Sequence, residues 1–278
     1  MNNWSSHKIA SNGITLHYTR TGTGADGDKP PLVLAHGFSD DGLCWTPVAQ
    51  ALEADYDVIM VDARGHGRSD APDGGYHAQT MATDLAGVIT GLGLNKPVVM
   101  GHSMGGSTTM ALAGFFPDLP GAIIIEDAGA GNIMADKSPE ALARLQGWHD
   151  RMEMLQRKTH AELIEHAHTV TSTWAEPELE PWAHAKLRFN MKALDRSDAV
   201  PLDWAELLGN IKCPALLLYA DPERGGGVTA ERAAEMQAML PQLQTVHIAG
   251  AGHNIRREQF EAYMDAVQSF LAKTVKQA

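Results

Sequence analysis

Val98-Val99-Met100-Gly101-His102-Ser103-Met104-Gly105-Gly106 reads as a short apolar strand, a G-x-S-x-G turn and the start of a helix built from small residues. A serine in a strained strand-to-helix turn projects its Oγ beyond the carboxyl end of a sheet, and glycine at 101 and 105 removes the Cβ atoms that would collide where backbone segments approach. The pentapeptide alone is a weak signal; its place between an apolar strand and a helix is what makes Ser103 the candidate nucleophile. The flanking sequence has the same layered character. Apolar runs at Leu32–Ala35, Val58–Val61, Val98–Met100 and Ala122–Ile125 are separated by helical patterns at Asp41–Glu53, Thr80–Leu92 and Met104–Phe116, as in βαβ units on a parallel sheet covered on both faces. Ile14–Tyr18 alternates apolar and polar residues like a half-buried strand.

After Asp127 the texture changes. From Gly129 to about Val200 there is no strand-like run, and prolines 139, 177 and 181 are expected to break the stretch into short helices. The sheet pattern resumes with the strand Ala215–Tyr219, a helix over Thr229–Met239 entered through a threonine cap, the strand Thr245–Ile248 and a closing helix Arg256–Ala272.

The chain has 278 residues, 44% hydrophobic and 20% charged, ordinary values for a globular protein of one or two domains. Its 22 basic and 34 acidic residues leave a formal charge of −12, which argues against nucleic acid or an anionic membrane surface as a partner. Cys44 and Cys213, far apart, make no disulfide framework, and no leader-like apolar segment stands near Trp4, so a reducing cytoplasm is the expected location.

Acyl transfer at Ser103 would need oxyanion donors and a base. His36-Gly37-Phe38 follows the strand Leu32–Ala35, where the Phe38 N–H pairs naturally with that of Met104, the residue after the nucleophile, and Gly37 keeps a side chain away from the reacting carbonyl. Histidine is suited to take a proton from serine and return it to a leaving group. Of the histidines, His253 lies in the Gly-rich loop Gly250-Ala251-Gly252-His253 after the last strand. Asp62-Ala63-Arg64-Gly65-His66-Gly67-Arg68-Ser69 matches no phosphate-binding pattern and reads as a structural loop beside the site. His166 and His168, two apart, face different sides of a helix, and with His160 they offer no zinc-ligand set. Trp148, Trp174 and Trp182 read mainly as packing residues. Arg256 and Arg257, at a helix start, call for an acidic partner, either a side chain or a substrate group.

The four segments around His36, Asp62, Ser103 and His253 together resemble the α/β-hydrolase superfamily. The resemblance implies a mostly parallel eight-stranded sheet flanked by helices. It places core residues at 1–129 and 204–278 and a helical cap at 130–203, inserted after the sixth strand. It also implies a serine hydrolase for a small carboxylic ester or amide, without a cofactor or metal, with carbon–carbon bond hydrolysis, cofactor-free oxygen chemistry or ligand sensing as the other activities that the fold hosts. Serine at 103, where epoxide hydrolases and haloalkane dehalogenases carry aspartate, argues against those two reactions. The acid stays open between two strands. The usual aspartate after strand seven is missing from Tyr219-Ala220-Asp221-Pro222-Glu223-Arg224-Gly225-Gly226-Gly227, which offers Glu223 or Asp221 instead, while Asp127 at the end of strand six is the favoured alternative.

Overall fold

The computed structural model describes residues 4–22, 29–133, 135–171 and 173–274. Its eight strands are β1 Ser5–Ser11, β2 Ile14–Arg20, β3 Pro31–Ala35, β4 Asp57–Val61, β5 Val98–His102, β6 Ala122–Glu126, β7 Ala215–Tyr219 and β8 Leu243–His247. They form one sheet in the order β1-β2-β4-β3-β5-β6-β7-β8, with β2 alone running against its neighbours. The polar strand β1 escapes a search for apolar runs; its signal is Asn12-Gly13, whose left-handed φ angles of 48° and 78° make the tight hairpin to β2.

Each central strand deals its side chains alternately to two cores, because successive residues of a strand point to opposite faces. Val33, Ile123 and Ile125 pack under α2 (Ala78–Gly91), α3 (Met104–Phe115), α7 (Trp204–Asn210) and α8 (Ala230–Met239). Leu32, Leu34 and Ile124 pack on the other face, against α1 (Thr46–Leu52) and α10 (Phe260–Thr274). The closing helical segment is divided: α9 covers Ile255–Glu258, and Gln259 leaves helical geometry at φ −138°, ψ 60° before α10. That bend lets Arg256 and Arg257 point inward while α10 lays its apolar face on the sheet.

Between β6 and β7 lie α4 (Pro139–Gln156), α5 (His160–Val170) and α6 (Glu176–Arg188), which share a small core of their own including Met152, Leu155, Leu163 and Trp182. Pro139 and Pro177 start helices as expected, but Pro181 sits inside α6. Near the helix start its missing N–H removes one bond, which the buried face through Leu179, Trp182 and Ala183 outweighs.

Strand order reverses at β3, which has β4 on one side and β5 on the other. Open parallel sheets form their binding crevice beyond the carboxyl ends at such a point. His36-Gly37-Phe38 leaves β3 there and Ser103 leaves the adjacent β5, with Ala35 and Gly101 in register.

Candidate active site

Ser103 occupies the turn between β5 and α3 with φ 51° and ψ −111°, a left-handed backbone that a non-glycine residue adopts only when its surroundings force it. Its N–H donates to the Glu126 carbonyl at 2.9 Å and its carbonyl accepts from Ser107, so both ends of the turn are anchored. A Cβ at Gly101 would overlap the Gly105 carbonyl, and one at Gly105 would overlap that of Ala35. The glycines of the motif therefore permit close packing of α3 on β3 and β5.

The expected residues converge here. His253 Nε2 lies 2.9 Å from Ser103 Oγ, and His253 Nδ1 lies 2.6 Å from Asp127 Oδ2. Asp127 follows β6 and is buried, whereas the His253 side chain remains 40% exposed. The same Asp127 Oδ2 accepts the Gly227 N–H at 2.6 Å, and Oδ1 accepts that of Val228 at 3.2 Å. The long Gly-rich loop after β7 thus contributes backbone donors to an acid from β6. Glu223 is exposed on that loop, and Asp221 turns to His247 Nε2 at 2.7 Å and the Gly250 N–H at 2.8 Å. Neither reaches His253.

Met104 is the first residue of α3, where a backbone N–H has no partner within the helix, and it shares a cavity with Phe38, Ser103 and His253. Gly37 has a role the sequence reading did not foresee: a Cβ there would come within 2.5 Å of His102 Nδ1. His102, the variable residue before the serine, is buried and approaches the His253 carbonyl through Nε2 at 2.9 Å. Burial, reinforced by the charges of Arg256 and His253, holds the His102 imidazole well below the usual histidine range, so it stays neutral and donates to that carbonyl.

Arg256 and Arg257 find acidic side chains. Arg256 donates to Glu126 at 3.0 Å through both its backbone N–H and Nη1, and its guanidinium lies 4.2 Å from the Trp45 ring centre. Arg257 donates to Glu178 and to Asp40 Oδ2, each at 3.0 Å. Lys186 of α6 reaches Asp40 Oδ1 at 3.1 Å and the Ser39 carbonyl at 2.7 Å. Burial alone would raise the Asp40 carboxyl, but Arg257, Lys186 and Arg256 together hold it well below the usual carboxylate range. This buried network ties the loop carrying Phe38, the segment after His253, the end of β6 and α6 into one unit. Asp40, Glu126, Glu178 and Lys186 were not singled out from sequence, because each meets its partner only across the fold.

Above Ser103 opens a cavity of about 960 Å³, within the range of small-molecule sites. Its wall includes Trp148, Trp174 and Trp182, so these residues face the cavity as well as packing. Trp148 stacks on Phe38 with ring centres 5.2 Å apart. The Asp62–Ser69 loop is tied to its surroundings: Asp62 accepts from His17, Gly42 and Arg68, and Arg64 pairs with Asp84. His160 meets neither His166 nor His168; with His184 it flanks Glu180, each ring nitrogen 3.5 Å from the same carboxylate oxygen, away from Ser103 on partly exposed helix surface. No helix of the described residues is long and apolar enough to cross a membrane.

Over 269 residues, 95% of each chain, the protein is 27% identical to the N-formylmaleamate deformylase of Pseudomonas putida. It is also 27% identical over 272 residues, 94% of this chain and 92% of the other, to the 2-hydroxy-6-oxononadienedioate/2-hydroxy-6-oxononatrienedioate hydrolase of Burkholderia vietnamiensis. Among solved structures, a thermophilic esterase from Thermogutta terrifontis with malate bound superposes with a TM-score of 0.72 at 28% identity, covering 97% of this chain and 99% of that one. These relatives are hydrolases, and the family model described as the alpha/beta hydrolase family matches residues 32–266. With the sheet order, the serine turn after β5 and the match over most of its length in agreement, the chain belongs to the alpha/beta hydrolase family.

Proposed function

We propose that the protein is a serine hydrolase that cleaves a small carboxylic ester or amide through an acyl-enzyme. The reading rests above all on the unbroken hydrogen-bonded chain Ser103–His253–Asp127, 2.9 Å and 2.6 Å long at its two links, on the floor of the cavity. Ser103 Oγ attacks the carbonyl carbon while His253 Nε2 takes its proton, and Asp127 keeps the other ring nitrogen protonated and stabilises the imidazolium. The N–H groups of Phe38 and Met104 receive the oxyanion. His253 then protonates the departing alcohol or amine, and water attacks the acyl-enzyme by the same route in reverse. No step calls for a cofactor.

Residues 130–203 act as the cap in this reading, with α4, α5 and α6 closing the cavity over the serine and selecting the substrate. The free, buried Cys44 and Cys213 suit a reducing cytoplasm. The deformylase is named for N-formylmaleamate and the other hydrolase for 2-hydroxy-6-oxononadienedioate and 2-hydroxy-6-oxononatrienedioate, all of them carboxylates. A carbon–carbon hydrolase built on the same residues is the second reading, and product analysis separates the two.

The test is labelling and turnover together. A fluorophosphonate should modify Ser103 stoichiometrically, and Ser103→Ala should lose on the order of 10⁶ in kcat on an activated ester, the scale of other serine knock-outs. Labelling at another residue, or an alanine variant that still turns over, contradicts the mechanism. Absence of multiple turnover in the wild type would favour a ligand-sensing role.

A further inference from the structure

The charges on the cavity wall leave one cation unmatched. Asp127 is held by His253 and two backbone N–H groups, Asp40 by Lys186, Arg256 and Arg257, and Glu258 by the Gly252 N–H at 2.8 Å. Lys186 and Arg257 are in turn neutralised by Asp40 and Glu178. Arg151 is different. It sits on α4 in the stripe Trp148, Arg151, Met152, Leu155, the spacing that puts four side chains on one helix face, and all four line the cavity. Its sequence neighbours Asp150 and Glu153 face Gln146 and Arg157 instead, and among the described residues Arg151 makes neither an ion pair nor a side-chain hydrogen bond. Arg151 is exposed rather than packed, so its guanidinium lines the cavity with no group among the described residues neutralising it and stays free to meet a ligand.

His166 of α5 lines the same wall. Partial burial, together with the nearby Lys158 and Arg151 charges, lowers its pKa, so the ring is neutral at pH 7 and keeps one N–H to donate. Trp148 marks the distance to the chemistry: it stacks on Phe38, and Arg151 follows it by three residues, about 4.5 Å along the helix axis.

Resting on the serine hydrolase reading above, we infer that Arg151, with His166 on the same cavity wall, is an anion subsite that selects esters or amides bearing one carboxylate a short chain away from the scissile carbonyl. The planar guanidinium matches a carboxylate in two parallel hydrogen bonds, and a single cation balances a single negative charge. A local cation is also what a chain of formal charge −12 needs to admit an anionic substrate.

Two p-nitrophenyl esters of equal length test this, the glutarate monoester and the neutral valerate. Wild type should prefer the glutarate ester in kcat/KM, with the preference shrinking as salt rises. Arg151→Gln should cut kcat/KM on the glutarate ester about tenfold to a hundredfold, mainly through KM, and leave the valerate ester unchanged, with Arg151→Lys in between. A wild-type preference for valerate, or an Arg151→Gln variant that keeps full activity on the glutarate ester, overturns the subsite while leaving the hydrolase reading intact. If neither ester is turned over, it is the hydrolase reading that fails. Free glutarate then decides the subsite by itself: it should quench the cavity tryptophans in the wild type and not in Arg151→Gln, and equal binding by both proteins refutes it.

Discussion

Replacing Asp127 by asparagine changes one atom, yet the surroundings make the change severe. Oδ2 accepts from both His253 Nδ1 at 2.6 Å and the Gly227 N–H at 2.6 Å, while Oδ1 accepts from the Val228 N–H at 3.2 Å. An amide offers one acceptor oxygen and an NH₂ that only donates. If its oxygen keeps the Oδ2 place, the NH₂ meets the Val228 N–H; if it turns over, the NH₂ faces both His253 and Gly227, and the imidazole escapes the clash by moving its proton to Nε2. In that tautomer His253 has no lone pair for the Ser103 proton. The expected loss in kcat is about 10⁴, or about 5.4 kcal/mol of transition-state stabilisation at about 1.36 kcal/mol per decade. One unsatisfied buried donor adds about 1–3 kcal/mol of lost stability, so the fold should survive with a lower Tm. Glu223→Gln should stay within about twofold of wild type, because that side chain is exposed and makes no contact with His253. Both variants are assayed on one activated ester, with circular dichroism to verify folding. A larger loss from Glu223→Gln, or an Asp127→Asn enzyme within tenfold of wild type, refutes the assignment of the acid to β6.

Gly37→Ala should lower kcat by at least tenfold and stability by about 1–3 kcal/mol, since its Cβ would come within 2.5 Å of His102 Nδ1 and must displace either the Phe38 loop or the ring that supports His253; unchanged steady-state kinetics would exclude that coupling. The depressed Asp40 carboxyl predicts an acid limb in stability: a folded pKa below the unfolded value of about 3.9 adds stability that is complete above that value and is lost as pH falls through the folded pKa. Asp40→Asn should abolish this part of the dependence of Tm on pH and destabilise the protein by about 3–5 kcal/mol at neutral pH, because Arg257, Arg256 and Lys186 lose a shared buried partner; parallel Tm curves for the two proteins below pH 5 would count against it.

Sequence alone carried the sheet wherever local chemistry is strong. Apolar runs of three to five residues marked β3 to β7 because a parallel strand covered on both faces has no solvent side to place polar residues on. The serine turn was legible because strained backbone restricts its neighbours to residues without bulk, a local demand that leaves a local pattern. Edge strand β1 was not, since Ser5–Ser11 is mostly polar and its pairing is announced only by the Asn12-Gly13 turn. Sequence favoured Asp127 over Glu223 but left both open. Both lie near carboxyl ends of neighbouring strands, and the difference arises when the glycines at 225–227 bring backbone N–H groups, not a carboxylate, to His253's side of the sheet. The same holds for the ion network, whose members Asp40, Glu126, Glu178, Lys186, Arg256 and Arg257 are individually ordinary surface-type residues. Their burial is stabilised only by partners up to 217 positions away. Charge pairing across a fold has no period and no spacing, so tertiary structure alone decides it.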